Sequence, residues 1–215
     1  MLRAALLACL AAPTLACETA LVLAIDVSGS ISGGDYLLQA GGLALALADP
    51  EVVEALVEGE VALTVVQWSG DGQQAVAIPW SRMLTRAAVT RFADNASAMP
   101  RAFKGSDTAV GQGVSFALAE FAAVPDCTRQ VIDISGDGQE NAGFTDARAR
   151  SEAEAQGVTI NAIAIEAAGA AFPITAYYQR WVITPGGFVV SARGVQDYGE
   201  TLRLKLLREL ADPIG

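Results

Sequence analysis

The chain has 215 residues, with Asp+Glu 24 against Lys+Arg 14, a formal net charge of −10, 52% apolar residues and no histidine. The length supports one domain with a buried core, while the lack of histidine excludes a Ser-His-Asp triad, an imidazole base and a His-ligated zinc. Three cysteines are too few for a four-thiolate metal site, and the acidic balance argues against a nucleic-acid partner and favours hard cations as ligands for carboxylates.

Residues 1–16, MLRAALLACLAAPTLA, place Arg3 ahead of an apolar run closed by Pro13 and Ala16, the layout of a secretory signal peptide. The run is too short to stay as a membrane-spanning helix, and no later stretch is apolar for long enough to replace it. This predicts a periplasmic or secreted protein with a mature domain over 17–215 and no integral membrane segment after cleavage. Cleavage after Ala16 leaves Cys17 first. Two fates are open to it: a lipid anchor, for which Thr14-Leu15-Ala16 is a poor preceding sequence, or a disulfide with Cys127, the other cysteine then remaining.

Residues 21–25 are a continuous apolar run, as in a strand buried on both faces. A Gly-rich turn leads to an Ala/Leu-rich helix over 35–48, stopped by Asp49-Pro50. Residues 61–68 read as a second strand, 69–72 as a hairpin turn and 75–80 as a third, antiparallel strand. Thr85 is expected to cap a helix to about residue 95, with loop over 100–107. Val110, Val114, Ala117, Leu118 and Phe121 then recur at helical spacing. Residues 131–134 form the fourth strand, with Asp133 readable either as a buried supporting carboxylate or as an exposed residue near the strand's end. Thr145 is expected to cap a polar helix ending at Gly157, followed by strands over 158–165 and 188–191. Val195, Tyr198, Leu202, Leu206 and Leu210 stripe the last helix. Strands alternating with helix-length segments predict an α/β fold: a doubly wound, mostly parallel sheet of about six strands with helices on both faces.

In such sheets ligands sit beyond the carboxyl ends of the strands. Three loops there carry polar residues: Asp26-Val27-Ser28-Gly29-Ser30 after the first strand, Gly105-Ser106-Asp107-Thr108 before a helix, and Ser135-Gly136-Asp137-Gly138 after the fourth strand. Alternation puts Asp26, Ser28 and Ser30 on one side of an extended segment, and Gly29 lets the backbone bend between the serines. Asp26, Ser28, Ser30, Thr108 and Asp137 offer only oxygens, which suit Mg²⁺ or Mn²⁺ and, less well, Ca²⁺. Two carboxylates and three neutral hydroxyls balance one divalent ion and leave it able to accept a further carboxylate from outside. Without histidine, such a site is expected to hold its metal affinity nearly flat from about pH 6 to 8. Gly111-Gln112-Gly113 is not a dinucleotide fingerprint, since it opens a helix without following a strand.

Asp-x-Ser-x-Ser after a buried first strand, a Thr in a later loop and an Asp-Gly after the fourth strand resemble the metal-ion-dependent adhesion site (MIDAS) of von Willebrand factor A (vWA) domains. Further stretches, including Val66-Gln67-Trp68-Ser69-Gly70, Glu140-Asn141 and Ala176-Tyr177-Tyr178, resemble a bacterial exported subfamily of uncharacterised function. Ser135-Gly136 stands where many A domains have Thr before the Asp-Gly. The resemblance implies a three-layer α/β fold and Mg²⁺ held by Asp26, Ser28, Ser30, Thr108 and Asp137, with the shell completed by Asp or Glu of a partner protein. It also implies adjacent, parallel first and fourth strands, which sets Cys17 and Cys127 where a disulfide can bridge them. The function expected is an exported, metal-dependent protein-binding module rather than an enzyme. The alternatives are a metal-dependent phosphohydrolase, for which the second acid is replaced by Ser28, and an envelope structural subunit with a metal-free site.

Overall fold

In the computed structural model of the chain, residues 17–167 and 172–211 are described; the expected leader, residues 1–16, lies outside them. The first apolar run becomes β1 (Cys17–Asp26), buried throughout except at Glu18. It is central because it pairs in parallel with both β2 (Ala62–Trp68) and β4 (Cys127–Gly136). The antiparallel β3 (Gln74–Arg82) forms one edge beside β2; β5 (Thr159–Ile165) and β6 (Val189–Ala192) extend the other, giving the order β3-β2-β1-β4-β5-β6.

Alternation along β1 splits the core in two. Leu21, Leu23 and Ile25 face one layer, formed by α1 (Gly33–Ala48), α2 (Pro50–Glu58), α3 (Arg86–Ala98) and α7 (Tyr198–Ala211). Ala20, Val22 and Ala24 face the other, with α4 (Val110–Glu120), α5 (Asp146–Ala155) and α6 (Ile174–Trp181). The fold class is therefore the one the strand and helix pattern predicts, a mostly parallel six-stranded sheet between two helical layers. Cys17 and Cys127 sit opposite each other in the β1–β4 register and are joined by a disulfide, at the end of the sheet away from Asp26.

Three local expectations change. Asp49-Pro50 ends α1 but also starts α2: the Asp49 carboxylate accepts from Glu51 N at 2.9 Å, and Pro50 occupies the first turn, where its missing N–H costs nothing. Helix α6 is an element the pattern did not disclose. Thr145 stands at the start of α5 without making a side-chain cap; the Glu140 carboxylate takes that role, accepting from Thr145 N and Asp146 N, each at 2.9 Å.

Asp133 is buried, and the reason lies in the last helix. Lys205 of α7 brings Nζ to 2.6 Å from Asp133 and 2.9 Å from Glu209, all three side chains being buried. Asn161 of β5 donates to the Glu209 carboxylate. The cluster holds two acids and one ammonium, so burial of the surplus negative charge raises the pKa of Asp133 to about 7, opposed by Lys205 and reinforced by Glu209. Among the described residues no helix is long and apolar enough to cross a membrane.

Candidate metal centre

Because β1 and β4 are neighbours and parallel, their carboxyl ends deliver Asp26 and Asp137 to the same edge of the sheet. Asp26 is fully buried, and its Oδ1 accepts from the backbone N of Ser28 at 2.7 Å. The Ser28 and Ser30 hydroxyls lie 3.3 Å apart, and Ser30 Oγ donates to Asp137 Oδ1 at 2.5 Å. Thr108 reaches the group beside Gly138, where a β-carbon would stand 3.4 Å from Thr108 Oγ1. Hydrogen bonds thus link Asp26 to Ser28 and Ser30 to both Ser28 and Asp137, and Thr108 lies beside Gly138, the residue after Asp137.

The electrostatics are those of a site short of positive charge. Burial raises the Asp26 pKa to about 7, against the lowering effect of its hydrogen bonds from Ser28, and the nearby Asp137 charge raises it further. Asp137 is raised too, first by burial. Neither carboxylate has an Lys or Arg partner among the described residues. Asp26 Oδ2 is buried and has no hydrogen-bond partner, a costly state for an ionised oxygen unless a cation meets it. Gly136 keeps that space free: a β-carbon there would come within 2.8 Å of Asp26 Oδ2. An all-oxygen donor set with an unmatched buried carboxylate oxygen fits a hard divalent ion. Among the described residues no group of three acidic or cysteine side chains is placed to hold a metal ion, so such an ion must draw on the hydroxyls.

The flat pH response expected from residue type alone leaves this burial out. A carboxylate moved to about 7 titrates where histidine would, so protons compete with a cation at Asp26 in the neutral range.

The supporting residues were less legible. Arg101 Nη2 donates to the carbonyls of Val27 and Ser28 at 2.9 and 2.8 Å, clamping the Asp-x-Ser-x-Ser loop from behind. Gln67, buried in β2, pins the connector that carries Thr108: its Oε1 accepts from Ala102 N at 2.7 Å and its Nε2 donates to Pro100 O at 3.1 Å. Gly29 N donates to Ser106 O at 2.7 Å, an approach that a side chain would obstruct. Asn141 Oδ1 accepts from Thr108 N at 2.7 Å, and Glu140 ties Gly111 N at the start of α4 to the start of α5. The Tyr178 hydroxyl, buried and without a partner, lies near Asp26 across Gly136, with its pKa raised by burial and then by the Asp26 charge. Glu140, Asn141 and Tyr178 lie in stretches that carried the family resemblance; Arg101 had no local signal.

A family model described as "Protein of unknown function (DUF1194)" matches residues 16–214. No curated protein matches the chain in sequence. Among solved structures, proximal thread matrix protein 1 (PTMP1) from the mussel byssus, with a zinc-occupied MIDAS motif, aligns at TM-score 0.65 and 21% identity over 90% of this chain and 48% of that one. The von Willebrand factor type A protein from Catenulispora acidiphila aligns at 0.62 and 20% identity, over 92% and 43% of the two chains. The vWF domain of the type V pili tip protein Mfa5 from Porphyromonas gingivalis aligns at 0.61 and 10% identity, over 92% and 97%. The chain spans about half the length of the mussel protein. At these identities the likeness establishes the fold, which is that of a vWA domain.

Proposed function

The chain belongs to that family of unknown function and has the vWA fold, and from this premise we propose that it is an exported protein-binding module that uses a divalent cation to engage an acidic residue of a partner. The observation that carries the reading is the buried, partnerless Asp26 Oδ2 beside Asp137, with no cationic side chain against either. Asp26, Ser28, Ser30, Thr108 and Asp137 would hold the ion. A bound cation supplies the positive charge that the two carboxylates lack and a position for a further carboxylate. The oxygen-only donor set favours Mg²⁺ or Mn²⁺ over zinc, which prefers nitrogen and sulfur.

Export is supported by the leader-like residues 1–16, with 17–215 as the mature domain. The Cys17–Cys127 disulfide suits an oxidising compartment and leaves Cys17 no free sulfur for a lipid. A binding role is favoured over hydrolysis because Ser28 stands where a phosphohydrolase carries its second acid and the chain has no histidine to serve as a base, while Lys205 is committed to Asp133 and Glu209 in the core. Immobilised mature protein should retain a partner from periplasmic extract in Mg²⁺ and release it in EDTA, while Asp26→Ala retains none. Retention that ignores EDTA and Asp26→Ala alike would point instead to a metal-free structural subunit.

A further inference from the structure

Exposed apolar side chains scattered singly are ordinary, but two phenylalanines here stand in loops that follow adjacent strands, at the edge that carries the metal centre. Phe144 is 79% exposed and Phe172 75% exposed. Phe144 closes the loop from β4 to α5, and Phe172 the loop from β5 to α6. Since β4 and β5 are adjacent and parallel, both loops leave the same edge of the sheet as Asp137. Helices α5 and α6 then run side by side: Tyr177 donates to Asp146 Oδ2 at 2.8 Å near the start of α5, and Arg150 donates to Arg180 O at 2.8 Å further along.

Phe144 also departs from the backbone rule for its residue type. Its φ of 52° lies in the left-handed region that favours glycine. The loop holds it there on both sides. Glu140 accepts from Thr145 N and Asp146 N just beyond it, and Asn141 N and Ala142 N donate to Thr108 O just before it. The loop that presents the phenyl ring is therefore anchored on the backbone of a proposed metal ligand. A strained, braced and solvent-facing aromatic is a feature from which a role can be inferred.

We propose that Phe144 and Phe172 form the apolar half of the docking face whose polar half is the Asp26–Asp137 centre. The matching partner is a protein segment with an Asp or Glu close to a large apolar side chain. This rests on the metal-dependent reading of the centre and adds to it the source of selectivity. A carboxylate alone names no partner, since every protein surface has one; an adjacent apolar anchor does.

The probe is a random heptapeptide library displayed on phage, panned on the immobilised mature protein in Mg²⁺ and released with EDTA. Wild type is expected to enrich Asp or Glu with Phe, Leu, Ile, Met or Trp nearby. The F144S/F172S double variant is expected to keep the acidic preference and lose the apolar one, and to bind a synthetic wild-type-selected peptide about tenfold more weakly. Phe144→Gly, which relieves the left-handed backbone, should melt no lower than wild type while losing peptide affinity, separating presentation from folding. Acidic peptides without apolar neighbours from wild type, or an apolar preference that survives in the double variant, would overturn this inference and leave the metal reading standing. If EDTA releases no peptides at all, the metal reading itself fails and this inference with it.

Discussion

Asp133 and Asp137 belong to the same stretch of chain, one inside β4 and the other just past its end, yet they are treated in opposite ways. Asp133 has a cation within reach: Lys205 lies 2.6 Å away, although it shares that ammonium with Glu209 and its own Oδ1 has no hydrogen-bond partner. Asp137 and its neighbour Asp26 are given hydroxyls and backbone N–H groups but no cation, and one oxygen of Asp26 is left with nothing. The protein thus places a lysine against a buried acid at one point and withholds any such residue at the other. The contrast distinguishes a structural charge from a site that awaits an ion. Burial alone would not reveal it, because both Asp26 and Asp133 are raised to about 7 mainly by desolvation.

The largest expected effect tests the matched region. Lys205→Met leaves two buried acids facing each other and should cost about 3–5 kcal/mol in urea unfolding; a loss under ~1 kcal/mol would mean that Lys205 does not hold these acids in the core. Metal comes next. Adding Mg²⁺ at about a hundred times its dissociation constant should stabilise wild type by about 2.7 kcal/mol and leave Asp26→Asn unmoved.

The response to pH is smaller per pH unit. Folded Asp26 has a pKa of about 7 against an ordinary 3.8, so between those values the metal-free native state holds a proton that the unfolded chain has lost. The contribution of Asp26 to stability is therefore greatest below about pH 4 and is lost as the pH rises through 7, by at most ~1.4 kcal/mol per pH unit for each such proton. Asp133 contributes in the same direction, so Asp26→Asn should flatten the slope without abolishing it. Saturating Mg²⁺ should flatten it as well, since the ion binds the ionised form. The smallest effect is Asp133→Asn at pH 8: it removes the surplus charge while keeping an acceptor for Lys205, and is expected to change stability by less than ~1 kcal/mol, in contrast to Lys205→Met.

What the sequence disclosed depended on how local the cause was. β1 was legible because a strand buried on both faces is a continuous apolar run, and Asp26, Ser28 and Ser30 because alternation within one short segment sets their common direction. Helix α2 was hidden because Asp49-Pro50 is at once a good stop for one helix and a good start for the next. Thr145 looked like a cap, but Glu140, in the preceding loop, outcompetes it. Asp133 was undecidable from its own strand, since its partner lies in the last helix. Arg101 was silent for a similar reason: it acts on the carbonyls of Val27 and Ser28, and no pattern around residue 101 records which backbone it will meet.

The central claim is that Asp26 and Asp137 are left unmatched so that a divalent cation can complete them. Its most direct test is calorimetric titration of Mg²⁺ and Mn²⁺ into the EDTA-treated mature protein and its Asp26→Ala and Asp137→Ala variants at pH 8. One cation bound per wild-type chain, with binding lost in both variants, is the expected result. No binding to wild type, or binding of equal strength in either variant, would contradict the account.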